Sequence, residues 1–376
     1  MVQQDEFSSL VSIVKEQVFQ TPGAHVPKWS PKLWKLATEH KVASIVAAAM
    51  SEQGALPEFA IDAKDYWQKC ALREVYYVAR SKELQTAWSK QGVKSFFLKG
   101  VLLAPLYPKK GFRALRDADL IVAPEHLVSV NEDLKHRGFI PLDPPGPLPH
   151  ALRNKGNKET AARAGMDALS FVHEDYFLEV HTGIVPPMLG AYPLDINDTN
   201  EAELLPEDIL AHLLFHATRH HFLFGLRQLL DVAVWFHRRQ PNVDALTDKL
   251  HQQNLYELAW PAWKLAHVHF SEQVPYPPLP TTKRGVYYTS RIESRFSEIP
   301  VLSISLAGSP FLCLLMMKES WKKLLHAIRG NPASHAYQSG EGATNLQKIR
   351  WYASRPFGLL RRHAAVMLAM WKVFGR

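Results

Sequence analysis

The sequence predicts an α+β fold in which a small β-sheet core falls, along the chain, between helical segments. Three observations lead there. Apolar residues recur at helical spacing over roughly residues 7–88 and again over 206–270. Short runs with strand character, near 94–98, 118–122 and 168–181, occur only between those stretches. Glycine and proline mark the changes of pattern. The chain divides accordingly into an N-terminal helical region (1–88), an α/β core (89–186), a helical domain (187–270), and a Pro-rich linker followed by a basic helical region (271–376).

Taken in order, Phe7 to Phe19 has helical apolar spacing, and Ser30-Pro31-Lys32-Leu33 reads as a capped helix start with proline in the first turn. Val42 to Met50 and Tyr66 to Trp88 continue the pattern. Lys94 to Leu98 reads as a short buried strand that Gly100 ends, and Val101 to Leu106 as the start of a helix. Pro108-Lys109-Lys110-Gly111 is a basic turn. Ala118 to Val122 is the next strand, Glu125 to His136 an amphipathic helix stopped by Gly138, and Phe139 to Leu142 a further strand. Residues 143–166 form a long polar loop with Arg153, Lys155, Lys158 and Arg163, read either as a lid for a polyphosphate or as a disordered insert. Ala168–His173 and Tyr176–His181 flank Glu174-Asp175 as a hairpin. Pro206-Glu207-Asp208 opens a helix, followed by helices over Gly225–Arg238, Val243–Gln253 and Leu255–Phe270. Residues 271–300 read as a Pro-rich and Tyr-rich linker.

Bulk properties narrow the class. Two cysteines in 376 residues are too few for a disulfide framework and favour a reducing, cytoplasmic setting. A net charge of +8 favours anionic partners without choosing among nucleotides, nucleic acid, phosphorylated substrates and membrane surfaces. No stretch is a convincing membrane span. The basic C-terminal segment, with Arg361, Arg362 and Lys372, either packs on its own domain or lies on an anionic membrane surface. No nucleophile elbow, P-loop or dinucleotide glycine pattern occurs.

The most informative residues are Asp117 and Asp119, one residue apart at the start of an aliphatic strand. Strand side chains alternate, so both acids take the same face. A divalent cation would relieve their repulsion, and Mg2+ (or Mn2+) suits such a site because it leaves positions open for water and phosphate. Glu179, on a second strand, is the third candidate ligand, and His181, which shares its face two residues on, is read as a substrate contact, a residue that orients Glu179, or a core histidine. Three acids on neighbouring strands would serve metal-assisted transfer at phosphorus. Lys99, Gly100, Arg113 and Arg116 are the candidate phosphate-binding residues: three cations, and a glycine that lets backbone approach an anion.

Leu98-Lys99-Gly100, Tyr107-Pro108, Arg113 and Asp117-x-Asp119-Leu120 together resemble the "uncharacterised nucleotidyltransferase" family, within the DNA polymerase β-type nucleotidyltransferase superfamily. Leu178-Glu179-Val180-His181 is similar to its acid-x-His strand, and Pro206-Glu207-Asp208, His216, His220 and Leu226 to Asp231 to its helical block. The resemblance covers about residues 40–270 and leaves out the basic C-terminal part. It implies a small mixed β-sheet carrying the acids, flanked by helices and followed by a helical domain. It also implies a Mg2+-dependent transfer of a nucleoside monophosphate from a nucleoside triphosphate, ATP among the candidates, to a peptide, small molecule or other acceptor. The usual Gly-Ser turn of the superfamily is Lys99-Gly100 here, and Arg116 precedes the first acid where a small residue is typical.

Alternatives remain at this point. Glycosyl transfer from a nucleotide sugar to a (phospho)peptide fits the same site. Nucleotidyl transfer to an RNA end fits the basic C-terminal region. A non-catalytic nucleotide-binding module fits Arg116 beside the acids. His212, His216 and His220 recur every fourth residue and share a helix face; without HExxH or a nearby thiol, packing or substrate contact is favoured over zinc. Arg227 and Asp231 are spaced to form an ion pair along one helix.

Overall fold

The protein was analysed as a computed structural model, which describes residues 2–21, 29–53, 58, 61–142, 169–181, 183, 204–220, 222, 224–280, 283–294 and 296–298. The basic loop over 143–166 and the basic C-terminal region lie outside the described residues. The described residues form eleven α-helices and one five-stranded sheet, an α+β arrangement. Contacts divide them into two compact units. A helical unit gathers the described parts of 1–83, 98–116 and 205–308, and a sheet unit those of 84–97 and 117–204.

In the helical unit, α1 (Val2–Phe19), α2 (Pro31–Glu39) and α3 (Ala43–Glu52) pack together. The Ser30 hydroxyl accepts from Leu33 N at 3.0 Å with Pro31 at the first turn, the start that the sequence predicts. Helix α4 (Ala63–Ser89) begins in this unit, and α5 (Lys99–Leu103) with a 3₁₀ turn at Ala104–Leu106 belongs to it. After α6 (Leu127–His136) in the sheet unit, α7 (Pro206–Arg219), α8 (Leu226–Arg239), α9 (Val243–Gln252) and α10 (Tyr256–His269) complete the helical unit. Helices α7, α8 and α10 pack on one another around Leu210, Leu214, Leu229, Leu230, Trp263 and Leu265, all fully buried. Helix α8 is held between Gly225 at φ 55° and Gln240 in the left-handed region, so its boundaries are set by backbone punctuation at both ends.

One stretch differs from the expectation of a linker. Lys283–Glu293 forms helix α11, packed on α10, with Tyr288, Thr289 and Ile292 buried. Four of the prolines that mark 271–300 as irregular, Pro275, Pro277, Pro278 and Pro280, precede this helix, and beyond Pro280 a helical apolar stripe resumes. Among the described residues no helix is long and apolar enough to cross a membrane.

The sheet unit holds β1 (Ser95–Leu98), β2 (Ala118–Val122), β3 (Ile140–Pro141), β4 (Leu169–His173) and β5 (Tyr176–His181), in the order β1-β2-β5-β4-β3. Strands β4 and β5 form the predicted hairpin, with Glu174 at φ 52° in its turn. Strand β5 then runs parallel to β2, which makes the sheet mixed. Residues 118 to 122 are all buried, whereas β5 alternates, burying Tyr176, Leu178 and Val180 and turning Phe177, Glu179 and His181 to the more open face. Trp88, at the end of α4, is fully buried here and donates from Nε1 to Asp133 on α6 at 2.8 Å.

Candidate functional site

The parallel register of β2 and β5 sets Asp119 opposite Glu179, and Ile121 opposite His181. Alternation puts Glu179 and His181 on one face of β5. His181 Nε2 lies 3.2 Å from Asp119 Oδ1 and 3.6 Å from Glu179 Oε2. One ligand-capable atom from each of the three lies within 4.8 Å of the other two. The environments differ: the side chain of Asp119 is 3% exposed, that of Glu179 33%. A buried carboxylate beside a half-open one and an imidazole is a donor set suited to a divalent cation. Asp117 stands one residue ahead of β2 and is exposed, outside that group of three. The trio brought together is therefore Asp119, Glu179 and His181. The signal for His181 was its position two residues after Glu179 on the same strand face.

The remaining candidates belong to the helical unit. Lys99 opens α5 at φ 45°, so the left-handed residue of the Lys99-Gly100 pair is the lysine, and Gly100 is buried within the helix. Arg113 is buried. Its Nε donates to Asp231 Oδ1 at 2.7 Å, and the Tyr107 hydroxyl donates to the same oxygen at 2.8 Å. Asp231 is thus joined to Arg113 and Tyr107 rather than to Arg227 one turn before it. Burial, and the Asp231 carboxylate after it, push the Tyr107 phenol well above its usual range.

The segment between Tyr107 and Arg116 is tied down along its length. Trp67 Nε1 donates to Lys110 O, Gly111 N to the buried Glu74, Ser44 to Phe112 O, and the Tyr77 hydroxyl to Arg116 O at 2.9 Å. Gly111 has φ +83°, and a Cβ there would come within 2.7 Å of Ala71 N, so this turn requires glycine. The Arg116 side chain at the end of the segment is exposed.

His212, His216 and His220 do share one face of α7, with ring centroids 6.1 Å and 4.5 Å apart along the series. The His216 ring lies parallel to Phe224 at 6.0 Å, and the Arg227 guanidinium sits 4.6 Å above Phe224. Burial pushes the His216 imidazole well below its usual range, and Lys99, His220, His212 and Arg227 add to the effect. His216 is therefore neutral at pH 7. The sequence pairs Arg227 only with Asp231, because no local pattern shows that its backbone N–H meets His40 O.

The chain was compared with known proteins. A family model described as "Uncharacterised nucleotidyltransferase" matches residues 28–271. No curated protein and no solved structure matches the chain.

Proposed function

The chain belongs to the uncharacterised nucleotidyltransferase family, and from that premise we propose that it transfers a nucleoside monophosphate from a nucleoside triphosphate to an acceptor. The observation that carries this reading is the meeting of Asp119, Glu179 and His181 on adjacent parallel strands. Those three residues fit a divalent cation, with exposed Asp117 as a further carboxylate for it. The imidazole extends the fit from Mg2+ toward Mn2+, which accepts nitrogen more readily. When bound, such an ion withdraws charge from the phosphate oxygens and so favours attack at phosphorus.

In the proposed reaction an acceptor hydroxyl oxygen forms a bond to the α-phosphorus. The bond from that phosphorus to the bridging oxygen breaks, and pyrophosphate leaves with the electron pair. Glu179, the more open carboxylate, takes the acceptor proton. Buried Asp119 holds the His181 imidazole through its Nε2 contact. Lys99 and Arg116 are assigned countercharge for the phosphates. Arg113 is assigned a different task, fixing the segment that carries Arg116.

Incubation with α-labelled and γ-labelled nucleotides, Mn2+ or Mg2+, and cell extract tests the reading. Label from the α-phosphate should pass to an acceptor, and γ-label should appear only in pyrophosphate. Asp119→Asn should lower the transfer by at least about a hundredfold and abolish Mn2+ binding followed by electron paramagnetic resonance. Undiminished transfer in Asp119→Asn, or γ-label in the acceptor, would sink the proposal.

A further inference from the structure

The open face of the sheet carries more than the trio. The β4–β5 register sets Ser170 opposite Glu179 and Val172 opposite Phe177, and the β3–β4 register sets Ile140 opposite Val172. Directly paired residues project from the same face of a sheet. Phe177, Val172 and Ile140 therefore form a row across three strands, beside the row of Asp119, Glu179 and Ser170. Neighbouring rows on one face are two residues apart along a strand, about 6.6 Å. Glu179 and Phe177 are such a pair on β5.

The second row is apolar and reaches solvent. Ile140 is 63% exposed, Phe177 is 38% exposed, and Val172 is half-buried. The core is built from the other face of the same hairpin, where Phe171, Tyr176 and Leu178 are fully buried. Strand β3 ends the sheet, so the row runs about 10 Å from Phe177 out to an edge. Single exposed apolar residues are ordinary on a protein surface. Here three stand in line, and the line begins one pleat from the more open carboxylate of the trio.

The geometry points to a subsite for an apolar side chain of an extended peptide acceptor, with the peptide's hydroxyl residue at Glu179 and its apolar residue, two positions away, on Phe177, Val172 and Ile140. An extended peptide turns every second side chain to one face, at the same interval that separates Glu179 from Phe177. Hydroxyl and apolar group are seated together only at that spacing, as in other surfaces that read alternate side chains of a bound strand. A nucleobase suits the row less well, because none of its three side chains offers a hydrogen bond to a base edge. The inference rests on the nucleotidyltransferase reading for the place of the acceptor hydroxyl, and it adds the class of the acceptor.

Fluorescence-anisotropy titration of the full chain, without nucleotide, tests the subsite with dye-labelled glycine peptides that hold one serine and one leucine. Peptides with the two at alternate positions, in either order, should include one that binds at least about tenfold tighter than peptides with them adjacent or three apart. Replacing its serine by alanine should remove that preference. Ile140→Asn and Phe177→Ser should each abolish it, whereas Val128→Asn, at an exposed apolar residue of α6 in the same unit, should leave it intact. Ile140 is the most exposed of the three, so its variant tests the row even if Phe177→Ser disturbs the hairpin. Affinity independent of spacing, no measurable binding of any peptide, or an Ile140→Asn variant that keeps the preference would overturn the subsite. So would an Ile140→Asn variant that loses affinity for nucleoside triphosphate alone, which would give the row to a base. Peptide binding is read without turnover, so its failure leaves the labelled-nucleotide result standing, and γ-label in the acceptor would leave the peptide result standing.

Discussion

Arg113 is a cation whose surroundings decide its work. It is 7% exposed, and its Nε reaches a carboxylate, Asp231, that is itself 4% exposed and also takes the Tyr107 hydroxyl. A charge removed from water in this way is stable only with its partner present. Arg113→Ala would leave Asp231 buried with the Tyr107 hydroxyl in place of a countercharge. A loss of about 3–5 kcal/mol is expected, read from equilibrium denaturation in urea. Normal stability in that variant, with nucleotide affinity alone reduced, would return Arg113 to direct phosphate contact. The sequence marks this arginine as a phosphate-binding candidate, and a sequence pattern does not distinguish an arginine that grips substrate from one that grips a distant helix.

At the scale of elements, the segment after α10 shows how proline-rich chain becomes ordered. Proline lacks an N–H but keeps its carbonyl, and α10 supplies the donors. The Tyr256 hydroxyl and Trp260 Nε1 both donate to Pro278 O, at 2.7 and 2.8 Å, and Trp263 Nε1 donates to Pro275 O at 3.0 Å. His267 Nδ1 lies 2.8 Å from Val274 O. Trp263 is fully buried, so its indole nitrogen is satisfied only because the strap lies across it. Trp263→Phe keeps most of the ring and deletes the donor. The expected cost is about 1–3 kcal/mol by thermal or urea denaturation, and an unchanged midpoint would mean that this bond does not fasten the strap. Composition predicts irregular chain through 300, and it hides the short helical apolar stripe beyond Pro280 that packs on α10.

Across the molecule, two buried histidines make stability depend on acidity. Burial lowers the pKa of His40 to about 4, against a smaller raising effect of its contact with Ser297 O, and burial lowers His269 to about 4 as well, with His40 and Lys15 adding. Both folded values lie below the ordinary 6.5, so the unfolded chain binds more protons between those limits. The stabilisation from the neutral rings is complete above pH 6.5 and is lost as pH falls toward 4. Each shift corresponds to about 3 kcal/mol in full. His40 has a particular reason for sensitivity: a second ring proton would face the Leu226 N–H that Nδ1 now accepts. Unfolding midpoints measured from pH 7.5 to 4.5 should fall steeply below pH 6.5, and a flat profile would contradict the assignment.

The sequence by itself determined the elements. Ser30 and Pro31, Pro206 with its two acids, the alternation of β5, and the turn at Glu174-Asp175 act over a few residues, and they appear where the local pattern puts them. It also determined the family and marked Asp117, Asp119 and Glu179 as metal-ligand candidates, with His181 on the same strand face as Glu179. The tertiary structure decided which strand lies beside which, and so which side chains meet. A parallel β2–β5 ladder aligns Asp119 with Glu179 and leaves Asp117 outside the trio. Two hydrogen bonds from residues 226 and 227 join the start of α8 to His40, which lies 186 residues before Leu226 in the chain. Local preference acts through neighbouring backbone sterics and capping. Convergence of distant charges depends on register and burial, which exist only once the core has formed.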